Sequence, residues 1–219
     1  MSQPVFVFDA YGTLFDVHAA IGRHRQAVGS DADRLSELWR TKQLEYTWTL
    51  TLAGLYVDFW TLTERALDHA LARVPTVDRA LRSTLLDSYR TLDAFPDARV
   101  ALAQLRGKNA RTAILSNGSP PMLAAACKAA KLDVDASLSV DAIRMYKPRP
   151  EVYALVTKAF AVAADQVVFV SSNRWDVMGA AVFGFRALWI NRAGLPDEYP
   201  DHAPVRTLTR LDAIASASG

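Results

Sequence analysis

Cysteine is nearly missing from this 219-residue chain, where Cys127 stands alone. No internal disulfide can form, and the alanine-rich, helix-like surroundings "MLAAACKAAK" mark Cys127 as a small buried residue rather than a reactive thiol. Long apolar runs are missing too: no stretch approaches a membrane span. The first residues lack the positive lead and small-residue cleavage site of a signal peptide, which points to the cytoplasm. Charge of one sign is nowhere concentrated, since 25 basic residues face 23 acidic ones for a net +2. That balance speaks against a nucleic-acid or membrane partner. There is no internal repeat and no low-complexity tract. What is present suits one globular domain, or one domain carrying an insertion, with 51% apolar residues to fill a core.

Four β-rich apolar runs stand out, Val5 to Phe8, Thr112 to Leu115, Val167 to Val170 and Ala187 to Ile190, with a weaker one at Ala136 to Val140. Helix-like segments separate the later runs, each with a proline or capping residue at its start: Pro96-Asp97, Ser119-Pro120, Pro150 and Asp176. Strands that alternate with helices, and lack the period-two pattern of a half-exposed sheet, predict an α/β fold with a parallel sheet covered on both faces. From about Val17 to Thr91 no strand is expected. "SELWRTKQLEYTWTLTL" and "VDFWTLTERALDHALARV" space apolar residues by three and four, so each helix buries one face. The chain therefore divides into a core of residues 1–16 and 92–219 and a helical cap of residues 17–91, while the tail after Pro204 carries only weak helical signal.

Ligands of an open parallel sheet bind beyond the carboxyl ends of its strands. There the first strand delivers Asp9, the second Ser116, Asn117 and Gly118, and the strand at 167–170 delivers Ser171, Ser172, Asn173 and Asp176. The loop "MYKPRP" adds Lys147. Singly, such residues are turn formers, helix caps and surface lysines. Their joint placement at one edge, beside an inserted lid, makes them a site.

"DAYGTLFD", "LSNGSP", "YKPRPEVY" and "SSNRWDVMGA" resemble the four motifs of the haloacid dehalogenase superfamily in its L-2-haloacid dehalogenase branch, and "LWRTKQLEYTW" and "FGFRALWINRAG" resemble the same branch. The resemblance spans nearly the whole chain. It implies a Rossmann-like three-layer core with a helical cap, a homodimer, and cofactor-free, metal-free hydrolysis of short 2-haloalkanoic acids. Phosphatases of the superfamily carry D-x-D at the first motif and further carboxylates at the fourth for magnesium. Here Tyr11 replaces the second acid, and Ser171, Ser172 and Asn173 stand where an acidic pair is expected. Halide leaves without a proton and needs no metal clamp, so the missing acids fit dehalogenation.

On this resemblance Asp9 is the nucleophile, aimed by Thr13 and Ser116 and held beside Lys147. It attacks C2 with inversion, and water then cleaves the aspartyl ester to give a D-2-hydroxy acid from an L-2-haloacid. Arg40 draws off the halide with Asn117 as a second donor, and Tyr11, Leu44, Phe59 and Trp175 wall the alkyl group, although Leu44 and Phe59 read equally well as core. Asp176, Asn173, Ser171 and Lys147 position the hydrolytic water, Tyr153 supports Lys147 or the substrate carboxylate, and Asp176 can equally cap the helix it begins. Thr41 stands where relatives often have glutamine, and Arg174 reads as exposed. The four histidines His18, His24, His69 and His202 match no family role and read as structural or surface residues. Two rivals are a phosphatase of the same superfamily and a noncatalytic protein on the same core.

Overall fold

The computed structural model describes residues 4–217. Its elements in chain order are β1 (Val5–Phe8), five helices α1 (Ala19–Gly22), α2 (Arg25–Val28), α3 (Ala32–Leu52), α4 (Phe59–Arg73) and α5 (Arg82–Arg90), then α6 (Pro96–Gly107), β2 (Arg111–Ser116), α7 (Pro120–Ala130), β3 (Ala136–Ser139), α8 (Pro150–Phe160), β4 (Val167–Ser171), α9 (Arg174–Phe183), β5 (Arg186–Ile190), β6 (Arg206–Leu208) and α10 (Ile214–Ala217). The expected α/β fold is present: six strands form one sheet in the order β3-β2-β1-β4-β5-β6. Every pairing is parallel.

β1 and β4 are buried along their whole length, as expected of central strands covered on both faces. The chain builds outward from β1 to β2 and β3 on one side, then crosses to β4, β5 and β6 on the other. The strand order therefore reverses between β1 and β4, where Phe8 pairs with Val170. A crevice opens beyond that point, at the carboxyl ends of the strands. Asp9 hangs over it, its N–H donating to the Val170 carbonyl at 2.9 Å.

The five helices between β1 and α6 form the helical cap. Where the chain leaves and re-enters the sheet layer, the two strands of its neck are hydrogen-bonded: Asp16 N–H to the Asp93 carbonyl and Phe95 N–H to the Leu14 carbonyl, both 2.9 Å. α4 starts on a side-chain cap, the Asp58 carboxylate accepting from the Thr61 N–H at 3.1 Å. Its Phe59, Leu62, Ala66, Leu67 and Ala70 are buried, the predicted face.

Four expectations need correction. The tail forms the short strand β6, whose three residues are exposed or half-exposed and owe their conformation to pairing with β5 rather than to pattern. Asp176 does not open α9; the helix begins at Arg174, with Asn173 in the cap position. Arg174 is buried, not exposed, because the later loop folds over it: its guanidinium donates to Asp197 at 2.7 Å and to the carbonyls of Tyr199 and His202 at 2.6 and 2.9 Å. Cys127 is half-buried against the core rather than fully buried. As expected, His18 and His24 act structurally, bonding Ser36 and Ser88 at 2.7 Å each.

Candidate active site

The loop after β1 folds back on itself, with Leu14 N–H donating to the Ala10 carbonyl at 2.9 Å and Gly12 N–H to Phe15 at 2.8 Å. Gly12 takes φ +94°, a conformation open to glycine at little cost. The turn returns Thr13 to the carboxylate it follows, and the Thr13 hydroxyl donates to Asp9 Oδ2 at 3.0 Å. Asn173, arriving from β4, donates its amide to the same oxygen at 2.8 Å. Lys147 Nζ donates to Asp9 Oδ1 at 3.1 Å. Asp9 is 6% exposed and Lys147 1%, so this ion pair is withdrawn from water.

Lys147 also donates to Asp176 Oδ2 at 2.8 Å, and Tyr153 donates its phenol to Asp176 Oδ1 at 2.8 Å. One ammonium thus lies between two carboxylates. Burial raises the Asp176 pKa to about 6, an effect that Lys147 opposes and the nearby Asp9 reinforces. Burial alone would depress Lys147, but the two carboxylates outweigh it and its pKa stands above the ordinary lysine value. The phenol of Tyr153 is raised by its own burial and by Asp176, so it remains a donor.

Ser116 is fully buried beside the cluster, yet its hydroxyl accepts from the Gly118 N–H at 3.0 Å; among the described residues the Asp9 oxygens take their hydrogen bonds from Thr13, Asn173 and Lys147 instead. Asn117 accepts the Lys147 N–H at 3.1 Å and so fixes the lysine loop. Its Nδ2 has no partner among the described residues. The Ser171 hydroxyl accepts from the Asn173 N–H at 3.0 Å and orients that residue. Tyr153 supports Lys147 at one remove, through Asp176.

The cap contributes the remaining wall. Arg40, half-buried on α3, donates to the Tyr11 carbonyl at 3.0 Å, the same carbonyl that Asn173 reaches at 3.3 Å. The Tyr11 ring stacks on Tyr89 (centroids 5.8 Å apart, 12° between planes) and meets Phe59 at 5.9 Å. Phe59 is buried, Leu44 half-buried one turn beyond Arg40, and Trp175 half-buried with its ring edge-on to Trp48 at 5.4 Å. Thr41 is exposed.

Three supporting residues escaped sequence reasoning. Arg192, after β5, donates to the Ser172 hydroxyl (2.8 Å), the Thr13 carbonyl (3.2 Å) and Asp97 (3.1 Å), pinning both loops of the crevice together. Tyr89 backs the Tyr11 ring, and Gln43 meets the Tyr89 phenol at 3.4 Å while donating to Thr63 at 2.9 Å. The signal for Arg192 is its place in "FGFRALWINRAG", which resembles the branch but gives the arginine no role.

The fit to a divalent metal is poor on the donors present. The Lys147 ammonium occupies the place between Asp9 and Asp176, the Ser171 and Ser172 hydroxyls accept from protein N–H groups, and Tyr11 offers a ring where a second acid would stand. A magnesium-dependent phosphoryl transfer has no support in this geometry.

A Rossmann-like parallel sheet under a helical cap, with a buried aspartate just beyond its first strand, is the architecture that the four motifs implied. Residues 4–184 match the model of the family described as haloacid dehalogenase-like hydrolase. The chain is 48% identical over 203 residues to (S)-2-haloacid dehalogenase 4A of Burkholderia cepacia, covering 91% of this chain and 87% of that one. It is also 48% identical over 214 residues to (S)-2-haloacid dehalogenase 1 of Pseudomonas sp. (strain CBS-3), with 95% and 94% covered. Among solved structures, the L-2-haloacid dehalogenase of Xanthobacter autotrophicus with chloropropionic acid covalently bound superimposes with a TM-score of 0.88 at 35% identity, over 98% of both chains. The chain belongs to the haloacid dehalogenase-like hydrolases, in their L-2-haloacid dehalogenase branch.

Proposed function

We propose that this protein hydrolyses short L-2-haloalkanoic acids to D-2-hydroxy acids and halide, with residues 1–16 and 92–219 supplying the chemistry and residues 17–91 closing over it. The observation that carries the reading is the buried Asp9 carboxylate, gripped by Lys147, Thr13 and Asn173, with Tyr11 and not an acid two residues on. Oδ2 already accepts two hydrogen bonds and Oδ1 one, so Oδ1 keeps a lone pair for attack.

In the first step an Asp9 oxygen bonds to C2, the carbon–halogen bond breaks, and the halide departs with the electron pair as C2 inverts. Arg40 and the free amide of Asn117 receive the halide. Tyr11, Leu44, Phe59 and Trp175 surround the alkyl group and exclude water until the ester exists. In the second step water adds to the Asp9 carbonyl carbon and gives its proton to Asp176, while N–H groups near Tyr11 meet the oxyanion. The intermediate collapses by breaking the bond between that carbon and the substrate oxygen, which takes the proton back from Asp176 and leaves as the 2-hydroxy acid, while the Asp9 carboxyl releases the water's second proton to solvent. Asp9 is regenerated carrying the water's oxygen. Lys147, Ser171, Asn173, Ser116 and Tyr153 hold these groups in register. A homodimer in the cytoplasm is part of the same proposal, supported by the resemblance to that branch and open to test by light scattering and fractionation.

The test is halide release from each enantiomer of 2-chloropropionate by purified protein in EDTA. Release from the L-enantiomer alone, with D-lactate as product, is the expected result. Release that requires added magnesium, or retention at C2, would overturn the mechanism.

A further inference from the structure

The Asp9 cluster is sealed, with Asp9, Tyr11, Lys147 and Asp176 all buried, yet its substrate is an anion from bulk water. A cavity of about 290 Å³ lies on the other side of the Tyr11 ring, between cap and core. Asp58, Trp60, Tyr89 and Arg90 line it from the cap; Ser119, Pro121, Met122 and Ala125 line it from α7.

Its polar groups are of a kind that awaits a guest. The Tyr11 hydroxyl would lie 3.3 Å from a Cβ on Gly118, which sets it beside the start of α7, and the ring edge would lie 2.6 Å from the same Cβ, so only glycine admits the ring there. Among the described residues that hydroxyl has no hydrogen-bond partner, although Tyr11 is 4% exposed. Ser119, 8% exposed, stands at the cap position of α7 but makes no side-chain capping bond, and its hydroxyl is likewise without a partner among the described residues. Neither hydroxyl is among the fully buried unpaired atoms of the described residues, so both are reachable from the cavity by a guest or by water. α7 is 11 residues long and points its amino end here; Pro120 and Pro121 remove two N–H donors, so the helix contributes field more than hydrogen bonds. Arg90, exposed at the rim, supplies a positive charge that it shares with Asp87 at 3.9 Å, its guanidinium stacked 3.8 Å from the centre of the Trp60 ring. The Asp58 carboxylate in the same lining accepts from the Thr61 N–H at 3.1 Å and the Thr61 hydroxyl at 2.6 Å and keeps its negative charge, so Arg90 must outweigh it for an anion to bind. Trp60, Met122 and Ala125 offer an apolar floor.

We propose that this cavity is a second binding site for short monocarboxylates, holding the carboxylate between Arg90, Ser119 and the Tyr11 hydroxyl and the alkyl group against Trp60 and Met122, as a staging site for the 2-haloacid before it reaches Asp9. The identity of its guest rests on the proposed function; the site itself does not.

Propionate, which has no halogen to lose, is the probe. Its titration should change the Trp60 fluorescence, a signal identified by its loss in Trp60→Phe. In Arg90→Gln the dissociation constant for that signal should rise at least fivefold, with Arg90→Lys falling between and Ser119→Ala weakening it less. In turnover with 2-chloropropionate at low ionic strength, Arg90→Gln should lower kcat/KM about threefold to tenfold at unchanged kcat, and the gap should close in about 0.5 M salt, where screening removes steering. Propionate binding unaffected in Arg90→Gln, or a loss of kcat equal to that of kcat/KM at every salt concentration, overturns the proposal. Propionate binding that depends on Arg90 in a protein that releases no halide would uphold the site and sink the dehalogenase reading instead.

Discussion

The two sides of the active site are built differently. On the core side, every carboxylate oxygen of Asp9 and Asp176 has a partner, and the partners come from the loop after β1 (Thr13), the lysine loop (Lys147), the turn between β4 and α9 (Asn173) and α8 (Tyr153). On the cap side, Arg40 donates to the Tyr11 carbonyl, Tyr146 beside Lys147 donates its N–H to the Thr51 hydroxyl at 3.3 Å and its phenol to the Val57 carbonyl at 2.6 Å, Tyr56 donates to Asp141, and the wall itself is aromatic and aliphatic. On the proposed function, strand ends and the loops after them fix the atoms that make and break bonds, while a helical layer whose polar contacts do not reach the carboxylates selects the substrate and excludes water. If that division is right, core substitutions should cost activity and stability together, and cap substitutions activity alone.

The largest effect should come from Asp9→Asn, which removes the nucleophile in a near-isosteric change. Halide release should fall by at least about 10⁴-fold, the scale seen when an essential catalytic group is removed, with little change in secondary structure by circular dichroism. Residual turnover within a hundredfold of the parent would show that water attacks C2 directly. Single turnover of the parent in ¹⁸O-water should place the label in Asp9 and not in the hydroxy acid.

Lys147→Met should abolish turnover and also leave two buried carboxylates without their cation. Breaking a buried ion pair in this way costs about 3–5 kcal/mol, so urea unfolding should shift well below the parent's midpoint. Arg40→Lys, by contrast, exchanges a planar fork for a point charge at a half-buried position. It should lower kcat by about a hundredfold, within the range for losing one stabilising donor, yet leave stability within about 0.5 kcal/mol, as for surface changes. Equal stability losses in the two variants would break the proposed division.

pH acts on the core side alone. Asp176, raised to about 6 chiefly by burial, must be ionised to accept the water proton. Turnover should therefore fall about tenfold per pH unit below 6, and the raised Lys147 should keep the alkaline side flat past the ordinary lysine range. Stability runs the other way. A carboxyl whose pKa is higher folded than unfolded holds its proton better in the folded state, so its contribution declines as pH rises from about 4 to about 6. Relative to Asp176→Asn, the parent should lose stability across the window in which it gains activity.

What was legible in the sequence follows the same contrast. β1, β2, β4 and β5 were readable because burial on both faces makes their apolar runs nearly continuous. β6 was not, because an exposed Arg-Thr-Leu segment becomes a strand only by hydrogen-bonding to β5. Asp9, Lys147 and Asn173 were legible because they follow a strand or sit in a marked loop and Asp176 because it comes closely after one, whereas Thr13 was legible only through the resemblance of its motif. Arg192 and the burial of Arg174 depend on segments distant in sequence folding onto them, a fact no local pattern carries. Ser116 was placed in the correct pocket but given the wrong partner, since side-chain rotation is set by packing and not by motif.

The smallest expected effect is at Thr41, beside Arg40 on α3 and in a place where relatives often have glutamine. Its side chain is exposed rather than turned to the pocket, so Thr41→Gln should change kcat/KM for 2-chloropropionate and 2-chlorobutyrate by less than about twofold, the size of an ordinary surface change. A larger change that differs between the two substrates would mean that α3 rotates or shifts when substrate is bound, carrying Thr41 toward the site. That result would sharpen the contrast, because the ties of the cap to the core stop short of the carboxylates, so α3 can shift while the cross-bonded Asp9 and Asp176 beneath it stay in place.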